Sequence, residues 1–275
     1  MKRFVPIFLV MILAPAAVAR AEEGPGPAQS LPEAAQAVST QVAAPAAAEA
    51  DPFEPVQAVV DRALGAYGAL NSYQAHLHRE LRLKDGRMKS EEMFLRCDKP
   101  HTVFLKYLTG SSATLQVLYS EGNFGGKLMT RPPGLFFDFI PIQAMDPADP
   151  RVTSAENRPI QDAGIGHMIE KFSADLAEAR ISGLARVVSL APAEGMSGVT
   201  RLEVVLDLPG RTYPKTVMYF EDGEGLPIGM EMAPADGPAT EIYRYSDFQP
   251  DPAKDDAVFL RMIDRRILVD SYQKI

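Results

Sequence analysis

Cysteine is all but missing from this chain: Cys97 is the single one in 275 residues, so no disulfide can form within it and packing alone must hold the core. Histidine occurs only four times, and no Cys/His cluster has metal-ligand spacing. No Gly-x-Ser-x-Gly elbow, His-Glu-x-x-His pair or Gly-Lys-Ser/Thr phosphate loop occurs, so the common hydrolase, zinc-protease and nucleotide-binding signatures are excluded. Positive charge is in deficit too, with 28 Lys and Arg against 36 Asp and Glu and a formal charge of −8. No Lys/Arg run or aromatic-studded basic stretch offsets it. Such a surface disfavours nucleic acid and non-specific contact with anionic lipid heads.

Long apolar runs are also lacking. The longest, Phe4–Val18, falls short of the ~20 residues a membrane span needs. It follows Lys2 and Arg3 and precedes Ala19-Arg20-Ala21, the pattern of a secretory signal peptide over residues 1–21 cleaved after Ala21. Loss of Lys2, Arg3 and Arg20 removes three positive charges and takes the formal charge from −8 to −11. Residue 22 is Glu, so the acylated cysteine of a bacterial lipoprotein is not at the cleavage site, and a soluble periplasmic product is expected. Residues 22–51 are rich in Ala, Pro and Gln without an aromatic residue, which reads as a disordered linker. Residues 52–275 are expected to form a single domain.

That domain opens with helical periodicity: Pro55 suits a first turn, and Val56, Val59, Val60, Ala63, Leu64, Tyr67 and Leu70 share one face. From Tyr73 the period becomes two, with Tyr73, Ala75, Leu77, Leu81 and Leu83 alternating with polar residues up to Lys84. Asp85-Gly86 marks a hairpin. Strands are expected at 87–97, 101–108, 114–120 and 127–131, with the glycines of 122–126 serving a turn. A second helix carries Ile165, Met168, Ile169, Phe172 and Leu176 on its apolar face. Strands resume at 186–190, 200–208, 212–221, 227–232 and 240–248, with turns at Asp222-Gly223 and Asp236-Gly237, and Val258, Phe259 and Met262 suggest a last helical turn. The fold class is α+β: a curved antiparallel sheet or half-open β-barrel of about ten to eleven strands, with a leading helix and a second helix packed on its concave side.

This layout resembles the LolA-like superfamily, the fold of periplasmic lipoprotein carriers and related envelope sensors. The resemblance lies in Thr212-Tyr-Pro-Lys-Thr-Val-Met-Tyr-Phe-Glu221, Leu226-Pro-Ile-Gly-Met-Glu-Met232 and Glu241-Ile-Tyr-Arg-Tyr-Ser-Asp-Phe248. The front half is similar to an uncharacterised family of exported bacterial proteins within that superfamily, through 73–83, Glu92-Met-Phe-Leu-Arg-Cys-Asp-Lys-Pro100, Val103-Phe-Leu-Lys-Tyr107 and Arg158-Pro-Ile-Gln-Asp-Ala-Gly-Ile-Gly166. It implies a carrier of a lipid or an acylated lipoprotein, non-enzymatic and free of cofactors, with an envelope protein as the other kind of partner.

Two features bear on binding. The segment from Gly134 to Ile142 holds six large apolar residues, and Leu135, Phe136, Phe137, Phe139 and Ile140 form either a buried wedge or an apolar lip that touches ligand or membrane. Charges also interrupt apolar strand faces. Arg79 is in register with Leu77 and Leu81, and Lys106 with Phe104 and Leu108. A buried cation needs a carboxylate, with Glu92 the expected partner of Arg79, or else it meets a lid or a lipid head within a cavity. Met88, Met93, Met168, Met218, Met230 and Met232 suit either an adaptable cavity or an ordinary core. His76 and His78 share a strand face, with Glu80 and His101 as conceivable co-ligands, but solvation accounts for them and no metal is assigned. Asp146, Asp149 and Asp162 are loop carboxylates without a visible partner, and Cys97 is read as a small apolar filler. The expectation is a monomeric lipid or lipoprotein binder with an apolar cavity; the alternative is an interaction or sensor module with a filled one.

Overall fold

Glu54–Ala69 form α1, begun by an acidic residue and a proline in the first turn, where neither the missing N–H nor the negative charge is a liability. Val56, Val59, Val60 and Ala63 recur at helical spacing and are buried, so the helix is held by one apolar stripe. The computed structural model describes residues 51–110, 112–132, 142–149 and 159–252. After Leu70 turns the chain into extended backbone, two hairpin-linked strands follow, β1 (Ser72–Arg82) and β2 (Met88–Asp98), joined through a turn in which Gly86 adopts φ 85°. Then come β3 (Thr102–Tyr107), β4 (Gln116–Ser120), β5 (Leu128–Arg131) and the short β6 (Gln143–Met145).

Helix α2 (Ile165–Ile181) separates this meander from a second one made of β7 (Ala185–Pro192), β8 (Val199–Leu206), β9 (Lys215–Glu221), β10 (Pro227–Ala233) and β11 (Glu241–Pro250). The two join by antiparallel pairing of β1 with β11, giving one eleven-stranded sheet in the order β6-β5-β4-β3-β2-β1-β11-β10-β9-β8-β7. Among the described residues every other pairing is between sequence neighbours, so local hairpins build both halves and a single long-range ladder unites them. The edge strands β6 and β7 do not meet, and the barrel is half open. The connection between these edges contains α2, which packs on α1 and against β7, β8 and β10.

The concave face carries the main core, in which Leu77, Met93, Leu95, Leu105, Leu202 and Phe220 face Val56, Val60, Ile169, Phe172 and Leu176 of the helices. A second, smaller cluster of Phe104, Leu118 and Met129, flanked by Phe94, lies on the opposite face of β2–β5. The middles of β3, β4 and β5 are therefore buried on both sides.

The architecture is the α+β half-open barrel expected from the sequence. Differences are local. β6 was not anticipated, since three residues carry too little period to read. β9 starts at Lys215 rather than Thr212, because Pro209 and Pro214 keep the preceding segment out of the ladder. In the β9–β10 turn the left-handed residue is Gly225, at φ 79°, rather than Gly223. The apolar residues Leu135, Phe136, Phe137, Phe139 and Ile140, and the helical turn at 258–262, lie outside the described residues.

Candidate functional site

Between α2 and the concave face lies a cavity of about 730 Å³. Leu77 of β1, Met93 of β2, Leu105 of β3 and Val117 of β4 line one wall, each an inward position of an alternating strand. Met230 and Tyr245 continue the wall into the second meander, and Met168 and Phe172 of α2 close it from above. Thus Met93, Met168, Met230 and Met232 line the cavity, Met218 is ordinary core and Met88 is exposed.

Polar groups gather where strands turn through the segments 83–87, 108–115, 207–214 and 234–240, at one end of the sheet. Arg79, Tyr107 and Thr216 line the cavity there. Arg79 is 6% exposed and Glu91 1%, and the guanidinium Nη2 pairs with Glu91 Oε2. Lys89 Nζ lies 3.1 Å from the other Glu91 oxygen. Burial pushes the Glu91 carboxyl up, but the hydrogen bond and charge of Arg79, helped by Lys89, outweigh it and hold the group below its ordinary value. Burial pushes the Tyr107 hydroxyl above its ordinary range, and the positive charge of Arg79 opposes that shift.

A second polar group ties α2 to the β8–β9 loop. Arg211 donates from Nη1 to Asp175 of α2, from Nη2 to Thr216 Oγ1 at 3.0 Å and from Nε to the Tyr213 carbonyl at 3.0 Å. Lys171 Nζ reaches Asp175 at 2.9 Å. At the other end of α2 the Ile165 N–H donates to the buried Tyr73 hydroxyl at 2.9 Å. Cys97 sits beside this contact, its thiol pushed up to about 12 by burial. A neutral thiol is a poor nucleophile. Iodoacetamide at pH 8 is accordingly expected to alkylate native Cys97 at least 100-fold more slowly than the urea-unfolded chain, as followed by mass; equal rates would place the thiol in water.

Of the residues singled out from sequence, Arg79 is in the cavity wall. Its carboxylate is Glu91, however, not Glu92: β1–β2 register sets Arg79 opposite Glu91 and His78 opposite Glu92, and only directly opposed residues share a face. Glu92 is exposed on the convex side. Lys106 also falls outside the cavity, with Phe104 on the convex face between Phe94 and Gln116. His76 and His78 lie on that side too, 3.1 Å from Asp247 and 2.9 Å from Glu80 respectively, while His101 meets the Tyr119 ring. Among the described residues no group of three His, Cys, Asp or Glu is placed to hold a metal ion. Glu91 was legible, being two residues from Met93 and four from Leu95 on the inward face. Asp175 and Arg211 carried no such signal, since their contact joins a helix to a distant loop.

Fold and site together define a half-open barrel with an open cavity of about 730 Å³ between sheet and helix. The chain belongs to the family described as a protein of unknown function (DUF1571), whose model matches residues 70–262. No curated protein matches it. Among solved structures it is similar to a LolA superfamily protein from Nitrosomonas europaea, at 12% identity over 72% of this chain and 94% of that one, with a TM-score of 0.31. It is also similar to the Mycobacterium tuberculosis lipoprotein LppX, at 11% identity, 74% and 100% coverage and a TM-score of 0.39. For the Pseudomonas aeruginosa MucA/MucB complex the corresponding figures are 14%, 73% and 59%, and 0.38.

Proposed function

We propose that the protein is an exported, non-enzymatic binding protein that shields the acyl part of a lipid or acylated lipoprotein from water, working as a soluble periplasmic carrier after cleavage at Ala21. The cavity of about 730 Å³ carries this reading. It falls in the range of roughly 300–1,000 Å³ typical of small-molecule sites. Leu77, Met93, Leu105, Val117, Met168, Phe172 and Met230 give it an apolar stretch suited to a flexible chain, while Arg79, Lys171, Asp175 and Arg211 add charged groups to the same wall.

The test is a chain-length series on delipidated protein. Each methylene buried is worth ~0.8 kcal/mol, so affinity for alkyl probes should rise about fourfold per carbon until the cavity is full. Met168→Trp, which places a large ring in the cavity, should weaken the longest probe at least tenfold while the circular dichroism spectrum is unchanged. Affinity independent of chain length would overturn the reading, as would failure of any alkyl probe to bind. Native mass spectrometry of protein purified from its own envelope should show a co-purifying lipid.

A further inference from the structure

The cavity limits how much can enter it. At about 30 Å³ per heavy atom, the liquid share of a water molecule, about 730 Å³ takes roughly 24 heavy atoms, one chain of about 16 carbons with a glycerol-sized head. A methylene that stays outside remains in water and adds no affinity. A second chain of that length, or the further chains of a triacylated lipoprotein, would hang in solvent.

The charges in the wall say what kind of head goes with that chain. Among the described residues the lining sets Arg79, Lys171 and Arg211 against Asp162, Asp175 and Glu178, so the signs balance. Both arginines are committed to carboxylates, Arg79 to Glu91 and Arg211 to Asp175, which also receives Lys171 at 2.9 Å. Arg211 donates further to the Tyr213 carbonyl and to Thr216. An anionic head would give up its water and then compete with Glu91 and Asp175 for the same donors, which is costly. The Lys171 side chain is 62% exposed, and an ion pair formed there is worth little.

A cationic head fares no better. Asp175 is already shared by two cations, Asp162 is 38% exposed beside His167, and Glu178 is exposed. The uncharged polar groups offer more. Tyr107, Tyr213, Tyr243, Tyr245 and Thr216 line the same space, and a hydroxyl both donates and accepts. A hydroxyl or ester head can meet such groups without surrendering the hydration of an ion.

Resting on the acyl reading, we propose that the ligand is an uncharged single-chain lipid with a hydroxyl or ester head, and that the pairing of Arg79 with Glu91 and of Arg211 with Asp175 keeps charged heads out of the cavity.

The experiment loads delipidated protein from a common cyclodextrin donor and reads occupancy by native mass spectrometry. The probes are hexadecanol, glycerol monohexadecanoate, glycerol dihexadecanoate, hexadecyl sulfate and hexadecyltrimethylammonium. The alcohol and the monoglyceride should each be taken up as one molecule per protein, at least tenfold more than either ion. The two-chain glyceride should be taken up at least tenfold less than the one-chain glyceride. Asp175→Asn, which releases Arg211 and Lys171, should raise the ratio of sulfate to alcohol at least tenfold, and the donor cancels in that ratio. Leu115→Arg, which adds a cation to the lining without a matching carboxylate, should do the same, and it serves should Asp175→Asn fail to fold. An ion taken up as well as the alcohol overturns the uncharged head, and equal uptake of the two glycerides overturns the single chain. A sulfate-to-alcohol ratio that neither variant raises overturns the role of the pairs. Each of these results leaves the acyl reading standing. If no probe enters, hexadecanol included, the acyl reading falls and the uncharged ligand with it.

Discussion

Arg79→Met alone is expected to cost about 3 kcal/mol of stability, seen as a lower urea midpoint at unchanged slope. The change strands Glu91, 1% exposed, without its main counter-charge in a wall of Leu, Met and Tyr side chains. Breaking a buried pair from one side costs roughly 3–5 kcal/mol, and the contact from Lys89 places this case at the low end. Arg79→Met/Glu91→Gln should recover most of the loss, because a neutral replacement of both partners removes the desolvation penalty with the attraction. The sign of the pH dependence follows from Glu91. Its folded value lies below the ordinary 4.5, so the pair's contribution is fully present above that pH and is lost as pH falls through the folded value. The double variant should therefore lose less stability than the native protein on acidification below pH 4.5. A single variant that unfolds at the native midpoint would show that water reaches the pair.

Strand periodicity told a good deal about this chain, and its limits explain what was missed. Alternation from Tyr73 to Leu81 marked one inward row, and Arg79 belongs to it. The same rule applied to β2 marks Glu91, Met93 and Leu95, so Glu92 misses the partner of Arg79 by one residue in register, and one residue moves a side chain to the other face. Lys106 shows a different limit. Phe104 shares its row, but Leu108 lies beyond β3 and is exposed, and Phe104 and Leu118 are fully buried on the convex side, so an apolar row on these strands does not reveal which face encloses the cavity. The pairing of β1 with β11 and the bond from Arg211 to Asp175 depend on which distant surfaces meet, and no local pattern encodes that. Hairpins were more legible, because Asp85-Gly86 states its own geometry.

Gly164→Ala should be among the most damaging substitutions of a small residue in the domain. Two independent demands coincide there. The residue adopts φ 105°, which an L side chain resists, and a Cβ would stand 2.3 Å from the Tyr73 hydroxyl and 3.0 Å from Cys97 Sγ. Tyr73 has little freedom to yield: it is 2% exposed, stacks on Phe248 with ring centroids 5.4 Å apart, and accepts the Ile165 N–H. Backbone strain costs of order 1–3 kcal/mol and overpacking about the same, so a loss of about 4 kcal/mol is expected. At roughly 2–4 °C per kcal/mol for a domain of this size, the melting temperature should fall by about 10 °C. Gly86→Ala is the control, since Gly86 has φ 85° but open space around its Cβ position, and it should cost only about 1 kcal/mol. The difference between the two measures the close approach alone. If Gly164→Ala melts within a degree or two of Gly86→Ala, the start of α2 is not seated on Tyr73. If the difference is large, that contact fixes the height of α2 above the sheet at one end, as the Arg211–Asp175 pair does further along, and with it the depth of the cavity below Met168 and Phe172.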